Sequence, residues 1–145
     1  SHEIDYIEYL FGQITDIQGI HGRQSSVTVD ADDFCDLNLF HPHGVTNLHM
    51  NLFSIKTQRL IEIDTESFYI RGDLSVFQLT VKDDDHESTL NFSMDHDVMY
   101  RSQMRYFLDH LGRPNIQNNL ETAGRLFRKV LQFQNGREYS SHHLS

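Results

Sequence analysis

The first part of the chain alternates apolar and polar residues with the period of an α-helix. Ile4, Ile7, Phe11 and Ile14 recur along HEIDYIEYLFGQITDI at the spacing that places side chains on one helical face. Glycine residues follow this segment, and glycine commonly ends a helix. The pattern therefore predicts one amphipathic helix over residues 3–18.

Within residues 25–94 the period changes to two, which is the period of a half-buried β-strand. The segment NLHMNLFSI shows this period clearly, since Leu48, Met50 and Leu52 alternate with polar residues. Short polar connections such as HPHG, RGD and DDDHES separate the segments of this kind. Short connections join antiparallel neighbours, because a parallel pair needs a long crossover. The region predicts an antiparallel meander of six to seven strands with one apolar face.

The helical period returns after the predicted sheet. Two amphipathic stripes predict two helices within residues 97–134, and the polar residues 137–145 predict a flexible tail. The apolar face of the sheet must be covered, and the three predicted helices are the elements available to cover it. We expect a single α+β domain over residues 1–145, with the helices on one face of the sheet as a sandwich or half-open barrel. Ser1-His2 is typical of a cloning remnant, so we assign no role to it.

Charge is divided unevenly along the chain. Residues 1–100 carry 18 acidic and 5 basic side chains, whereas residues 101–145 carry 3 acidic and 7 basic ones. An acidic surface repels phosphate groups, which argues against nucleic acids and anionic membranes as partners. It favours a basic protein as partner, and the separation of charge along the chain also predicts self-association.

The cellular location follows from what the sequence lacks. No apolar run approaches the roughly 20 residues that span a bilayer, and the N-terminal residues do not resemble a signal peptide. The single cysteine, Cys35, excludes an internal disulfide framework. These features predict a cytoplasmic protein.

The segment FHPHGVTNLHMN brings together His41, His43 and His49. Imidazole nitrogen is a common zinc ligand, and a catalytic zinc site usually has three protein ligands, so the three histidines are a candidate metal site. Pro42 and Gly44 predict instead that this is a hairpin turn with solvated histidines. We favour the turn, because no H-E-x-x-H motif accompanies the histidines.

We predict a non-enzymatic protein-binding module without a cofactor, similar in size, charge and layout to immunity proteins and secretion chaperones. Complementary charge would speed its capture of a basic partner. The acidic residues expected to bind this partner are Asp83, Asp84, Asp85, Glu87, Asp30, Asp32 and Asp33. The alternative is a small-molecule or catalytic pocket between a curved sheet and its helices, in one variant with the three histidines as metal ligands. The polar residues of this pocket would be His49, Tyr69, His96 and Tyr100.

Overall fold

The described parts of the chain form two compact units. The first unit is built from the ranges 1–53 and 115–145, and the second unit from the range 54–114. The computed structural model describes residues 2–26, 31–93, 95–113 and 119–135. In chain order the elements are α1 (His2–Phe11), β1 (Asp16–Gly22), β2 (Phe34–His41), β3 (Gly44–Asn51), β4 (Leu60–Asp64), β5 (Tyr69–Asp73), β6 (Gln78–Lys82), β7 (Glu87–Asn91), α2 (His96–Asp109) and α3 (Leu120–Asn135).

The first unit packs α1 and α3 against a three-stranded antiparallel sheet of order β1-β2-β3. The alternation of strand residues gives this sheet two faces. The helix face carries Leu37, Leu39 and Leu48, which form one core with Ile4 of α1 and Leu126 of α3. The outer face carries polar side chains such as Asn38 and Asn47, which are opposite each other across β2 and β3.

Helix α1 ends earlier than its hydrophobic pattern predicts. Gly12 has a φ of 86° and donates its backbone N–H to the carbonyl oxygen of Glu8, a conformation that favours glycine and ends the helix. Ile14 and Ile17 are both buried, but they reach the core from the connection and from β1. Their three-residue spacing resembles a helical stripe, which is why the pattern predicts helix for residues 12–18 and does not predict the strand β1.

The second unit contains a four-stranded antiparallel sheet of order β4-β5-β6-β7, together with α2. One sheet face is polar, with Glu62 opposite Arg71, and the other carries Ile63 opposite Ile70. Asp95 caps α2 by accepting a hydrogen bond from the backbone N–H of Asp97. This cap agrees with the predicted start of the helix.

The predicted α+β class with antiparallel strands and three helices is confirmed, but the predicted single sheet of six to seven strands is wrong. The strands divide into sheets of three and four, because residues 52–59 form a connection rather than a strand. Leu52, which the alternation placed in the core, is 64% exposed in this connection. The helices also divide between the units, with α1 and α3 in the first and α2 in the second. The grouping of both units into one domain stays a prediction.

Two predicted segments fall wholly or partly outside the described residues. The tail 137–145 lies outside them, and so does most of the range 25–31, where the predicted sheet begins. Among the helices of the described residues, none is long and apolar enough to cross a membrane.

Candidate functional site

Two histidine–aspartate pairs lie at one end of the three-stranded sheet. At this end β1 finishes, β2 begins and β3 finishes, and we call it the Gly22 end. The register places His21 beside Cys35 and Ile20 beside Asp36, in adjacent rows of the sheet. His49 pairs with Asp36 from the other side. Successive rows point to opposite faces, so His21 lies on the helix face and His49 on the outer face.

The first pair joins His21 to Asp32. The Nδ1 atom of His21 lies 2.7 Å from a carboxylate oxygen of Asp32, and the ring packs against Phe133 of α3 with ring centroids 5.2 Å apart. A carboxylate only accepts hydrogen bonds, so Nδ1 of the imidazole carries the proton that is donated. The His21 side chain is 15% exposed and the Asp32 side chain 43% exposed. The carboxylate is therefore the member of the pair that a ligand can reach.

His21 is not among the residues predicted from the sequence, because the glycines of GIHG indicate the end of a helix rather than a strand. Once residues 16–22 are taken as a strand, the alternation of Ile17, Gly19 and His21 places this histidine on the helix face. That alternation is the sequence signal that could have identified it. Its partner Asp32 was predicted, but as an acid that contacts a protein partner.

The second pair, on the outer face, joins His49 to Asp36. The Nδ1 atom of His49 donates to Asp36 at 2.5 Å, and the side-chain amide of Asn51 donates to Nε2 at 2.9 Å. Both members of this pair are more than half exposed, at 62% and 51%. The surrounding water screens their charges, so this pair is more weakly coupled than a half-buried one.

Cys35 lies beside His21 on the helix face, and Asp36 of the second pair follows it in the chain. Burial raises the pKa of Cys35, and the negative charges of Asp36, Asp32 and Glu3 raise it further. A thiol with a raised pKa is protonated near neutral pH and is a poor nucleophile.

The three histidines of the predicted metal site are not brought together. His41 is buried on the helix face, where Nδ1 donates to the carbonyl oxygen of Gly12 at 2.8 Å and Nε2 lies 3.1 Å from the hydroxyl of Thr46. His49 lies on the opposite face, and His43 is in the turn between β2 and β3. Across the residues that the structure describes, no group of three or more His, Cys, Asp and Glu side chains could hold a metal ion.

The residues predicted for an enclosed pocket are also distributed over both units. His49 belongs to the first unit, whereas Tyr69 and Tyr100 belong to the second. The hydroxyl of Tyr69 donates to Glu62 at 2.6 Å, and this hydrogen bond raises the pKa of Tyr69. Tyr100 is exposed on α2. The side chain of His96 lies outside the described parts of the chain.

The acidic residues predicted to bind a partner have different roles. Asp83 organises the β6–β7 turn by accepting hydrogen bonds from the backbone N–H groups of Asp85 and His86, at 2.9 and 2.7 Å. Asp33 is not a surface acid, because its side chain is only 2% exposed. The exposed acids between β6 and the start of β7 are Asp83, Asp84, Asp85 and Glu87, and Asp32 is exposed in the loop before β2. Asp30 lies outside the described residues.

Comparison with known proteins gives matches among solved structures alone. No family model matches the chain, and no curated protein matches it. UDP-N-acetylglucosamine 3-dehydrogenase GnnA from Acidithiobacillus ferrooxidans aligns with 94% of this chain and 44% of its own, at 16% identity and a TM-score of 0.75. An oxidoreductase from Agrobacterium radiobacter, in complex with NAD+, L-tartaric acid and magnesium, aligns with 94% of this chain and 46% of its own, at 15% identity and a TM-score of 0.70.

The chain shares their fold. It spans less than half the length of either protein. The predicted protein-binding module with a basic partner is wrong, because this fold occurs in oxidoreductases, one of them in complex with small molecules. The alternative hypothesis of a small-molecule or catalytic site agrees better with the comparison.

A nicotinamide nucleotide does not fit the described residues. Dinucleotide sites use a glycine-rich G-x-G-x-x-G turn between a parallel strand and a helix, where backbone N–H groups meet the pyrophosphate. All strand pairs described in both units are antiparallel, and the sequence contains no G-x-G-x-x-G. The described residues therefore lack the strand–turn–helix element that holds the pyrophosphate of a dinucleotide.

Proposed function

We propose that this chain forms the substrate-binding part of an oxidoreductase that acts on a small hydroxylated molecule. The shared fold supports this proposal, since one similar protein is a UDP-N-acetylglucosamine dehydrogenase and another binds L-tartaric acid. Both compounds carry secondary hydroxyl groups. The proposal assigns the substrate, and not the nucleotide, to this chain.

The proposed site is the Gly22 end on the helix face, and the His21–Asp32 pair is the observation that carries it. The half-exposed carboxylate of Asp32 accepts a hydrogen bond from a substrate hydroxyl, while His21 holds that carboxylate in place from behind. Partial burial strengthens both interactions, because the local dielectric is lower than in water. An imidazole joined to a carboxylate is also suited to proton transfer during oxidation of an alcohol.

Charge at this site favours a neutral hydroxylated group over an anionic one. The charges of Asp36, Asp32 and Glu3 raise the pKa of Cys35. These acids outnumber Arg23, whose charge acts on Asp33 at the same end, so the Gly22 end is acidic. A carboxylate or phosphate at this position would be repelled. We therefore expect a neutral polyol to bind in preference to a dicarboxylate such as L-tartrate.

Chemical-shift mapping of backbone amides by NMR tests the proposal directly, since it detects weak binding. The probes are D-glucitol, as a neutral polyol, and L-tartrate. D-Glucitol should shift the signals of His21, Asp32 and Cys35, L-tartrate should shift them less, and the Asp83–Glu87 turn should not respond. The proposal is overturned if D-glucitol leaves the Gly22 end unchanged, or if its effects are confined to the second unit.

A further inference from the structure

Asp33 has an unusual position for a carboxylate, since it is one of the three largest fully buried side chains among the described residues. It immediately precedes β2. One oxygen accepts the backbone N–H of Gln24 at 2.7 Å, and the other accepts the backbone N–H and the hydroxyl of Ser25 at 2.8 and 2.5 Å. A buried carboxylate needs such donors, because an unpaired buried charge is strongly unfavourable.

The backbone of Asp33 is tied to two strand ends as well. Its N–H donates to the carbonyl oxygen of Gly22 at 2.9 Å, where β1 finishes. Its carbonyl oxygen accepts the N–H of Leu52 at 2.8 Å, just beyond β3. One residue therefore joins the end of β1, the start of β2 and the end of β3.

His21 and Asp32, the proposed substrate-binding pair, are each adjacent in the chain to a residue of the Asp33–Gly22 hydrogen bond. Asp32 directly precedes Asp33, and His21 directly precedes Gly22. The 2.7 Å distance between Asp32 and His21 thus depends on how residues 22–25 are held against residue 33. The backbone bond of Asp33 holds Gly22 there, and the hydrogen bonds of its side chain hold Gln24 and Ser25.

We propose that Asp33 is a positioning residue, which fixes the Asp32 carboxylate against His21 without touching the substrate itself. This inference rests on the proposed function, since that proposal gives the His21–Asp32 pair its role in binding substrate. The effect of Asp33 on the pair itself can be tested without a ligand. The donors that surround the Asp33 carboxylate belong to Gln24 and Ser25 of this chain, so its contacts hold a chain segment in place and do not form a metal or anion site. The hydrogen bonds that Ser25 and Gln24 donate to Asp33 also lower the pKa of its carboxyl group, so it stays ionised near neutral pH.

The test is ¹⁵N NMR of the His21 imidazole at fixed neutral pH, in the full chain and in Asp33→Asn. In the unmodified chain His21 should show the tautomer with a protonated Nδ1, as the bond to Asp32 requires. The substitution makes the side chain neutral and removes the charge that attracts the three donors, so the Nδ1 signature should shift toward that of a free histidine. The signals of His49, which belongs to the other pair, should stay unchanged.

Asp73→Asn is the matched control. Asp73 accepts hydrogen bonds from the N–H and hydroxyl of Ser75 in the second unit, which is the same Asp–Ser pattern as in the Gly22 end. This variant should leave the His21 signals unchanged. A shift of equal size would show that loss of any Asp–Ser hydrogen bonds changes the His21 signals non-specifically, and would overturn the proposal.

If Asp33→Asn does not fold, Ser25→Ala is the variant that tests the same contact. It removes only the hydroxyl donor, so it should produce a smaller shift of His21 in the same direction. Unchanged His21 signals in every folded variant at these two positions would overturn the inference. A shift of His21 combined with no binding of D-glucitol by the unmodified chain would instead refute the proposed function and leave the positioning role intact.

Discussion

Glu8 and Arg125 form an ion pair that joins α1 to α3, although 117 positions separate them in the chain. Glu8 is 9% exposed and also accepts the backbone N–H of Ile14 at 3.0 Å. One carboxylate therefore holds both helices and the connection to β1. The ion pair thus holds together the two helices that pack on the helix face of the sheet, which is the face of the proposed site.

Arg125→Met should destabilise the first unit, because the variant leaves the nearly buried Glu8 carboxylate without its guanidinium partner. We expect a loss of about 1–3 kcal/mol in the free energy of unfolding, measured by urea denaturation. Arg128→Met, on the exposed part of the same helix, is the control and should change stability by less than about 0.5 kcal/mol. Equal effects of the two substitutions would show that the ion pair has no special role.

Gly19 has almost no room for a side chain. A Cβ atom there would lie 2.0 Å from the backbone oxygen of Asp36, and the φ of Gly19 is 150°. Gly19→Ala should therefore cost at least about 1–3 kcal/mol of stability, from backbone strain alone. Gly44→Ala, where a Cβ would meet nothing within 4 Å, should be close to neutral. A neutral Gly19→Ala variant would contradict the described β1–β2 pairing.

The β2–β3 hairpin shows what the sequence could predict. Pro42 and Gly44 indicated the turn, and the structure closes the hairpin at the pair of His41 and Gly44. Leu48 was predicted to face the core, and it does. Local turn chemistry and the period of two determine this element, so no tertiary information was needed.

The His21–Asp32 pair shows what the sequence could not predict. The pair depends on a register between β1 and β2 and on a loop held by the buried Asp33, and neither follows from the period of nearby residues. The division into two sheets was missed for a similar reason. A period of two identifies strands, but it does not say where hydrogen bonding between consecutive strands stops.

The stability of the first unit should depend on pH through Asp33. Its pKa lies below the usual value near 3.8 because the folded state donates hydrogen bonds to the ionised form. A carboxyl group with a lowered pKa stabilises the fold above its unfolded pKa of about 3.9, and this contribution is lost as the pH falls through the folded pKa. The stability difference between the unmodified chain and Asp33→Asn should thus be constant near neutral pH and shrink below about pH 4. A difference that does not change with pH, in urea denaturation, would refute this.

Cys35 should react slowly with thiol reagents. Burial, and then the charge of Asp36, raises its pKa, so little thiolate is present at about pH 8. Alkylation by iodoacetamide, followed by mass spectrometry, should be slower in the folded chain than in the chain unfolded in urea. Equal rates would show that the thiol is accessible and not shifted.

The most direct test of the proposed site compares the two histidine–aspartate pairs of the Gly22 end. Asp32→Asn and Asp36→Asn each remove one charge from a pair of similar length, at 2.7 and 2.5 Å, on opposite faces of the same sheet. The measurement is the affinity for D-glucitol by NMR titration. Asp32→Asn should weaken binding by about ten-fold or more, since a hydrogen bond to a charged group contributes about 1.5–3 kcal/mol, and Asp36→Asn should not. Equal affinities in the two variants, or a loss only in Asp36→Asn, would contradict the account.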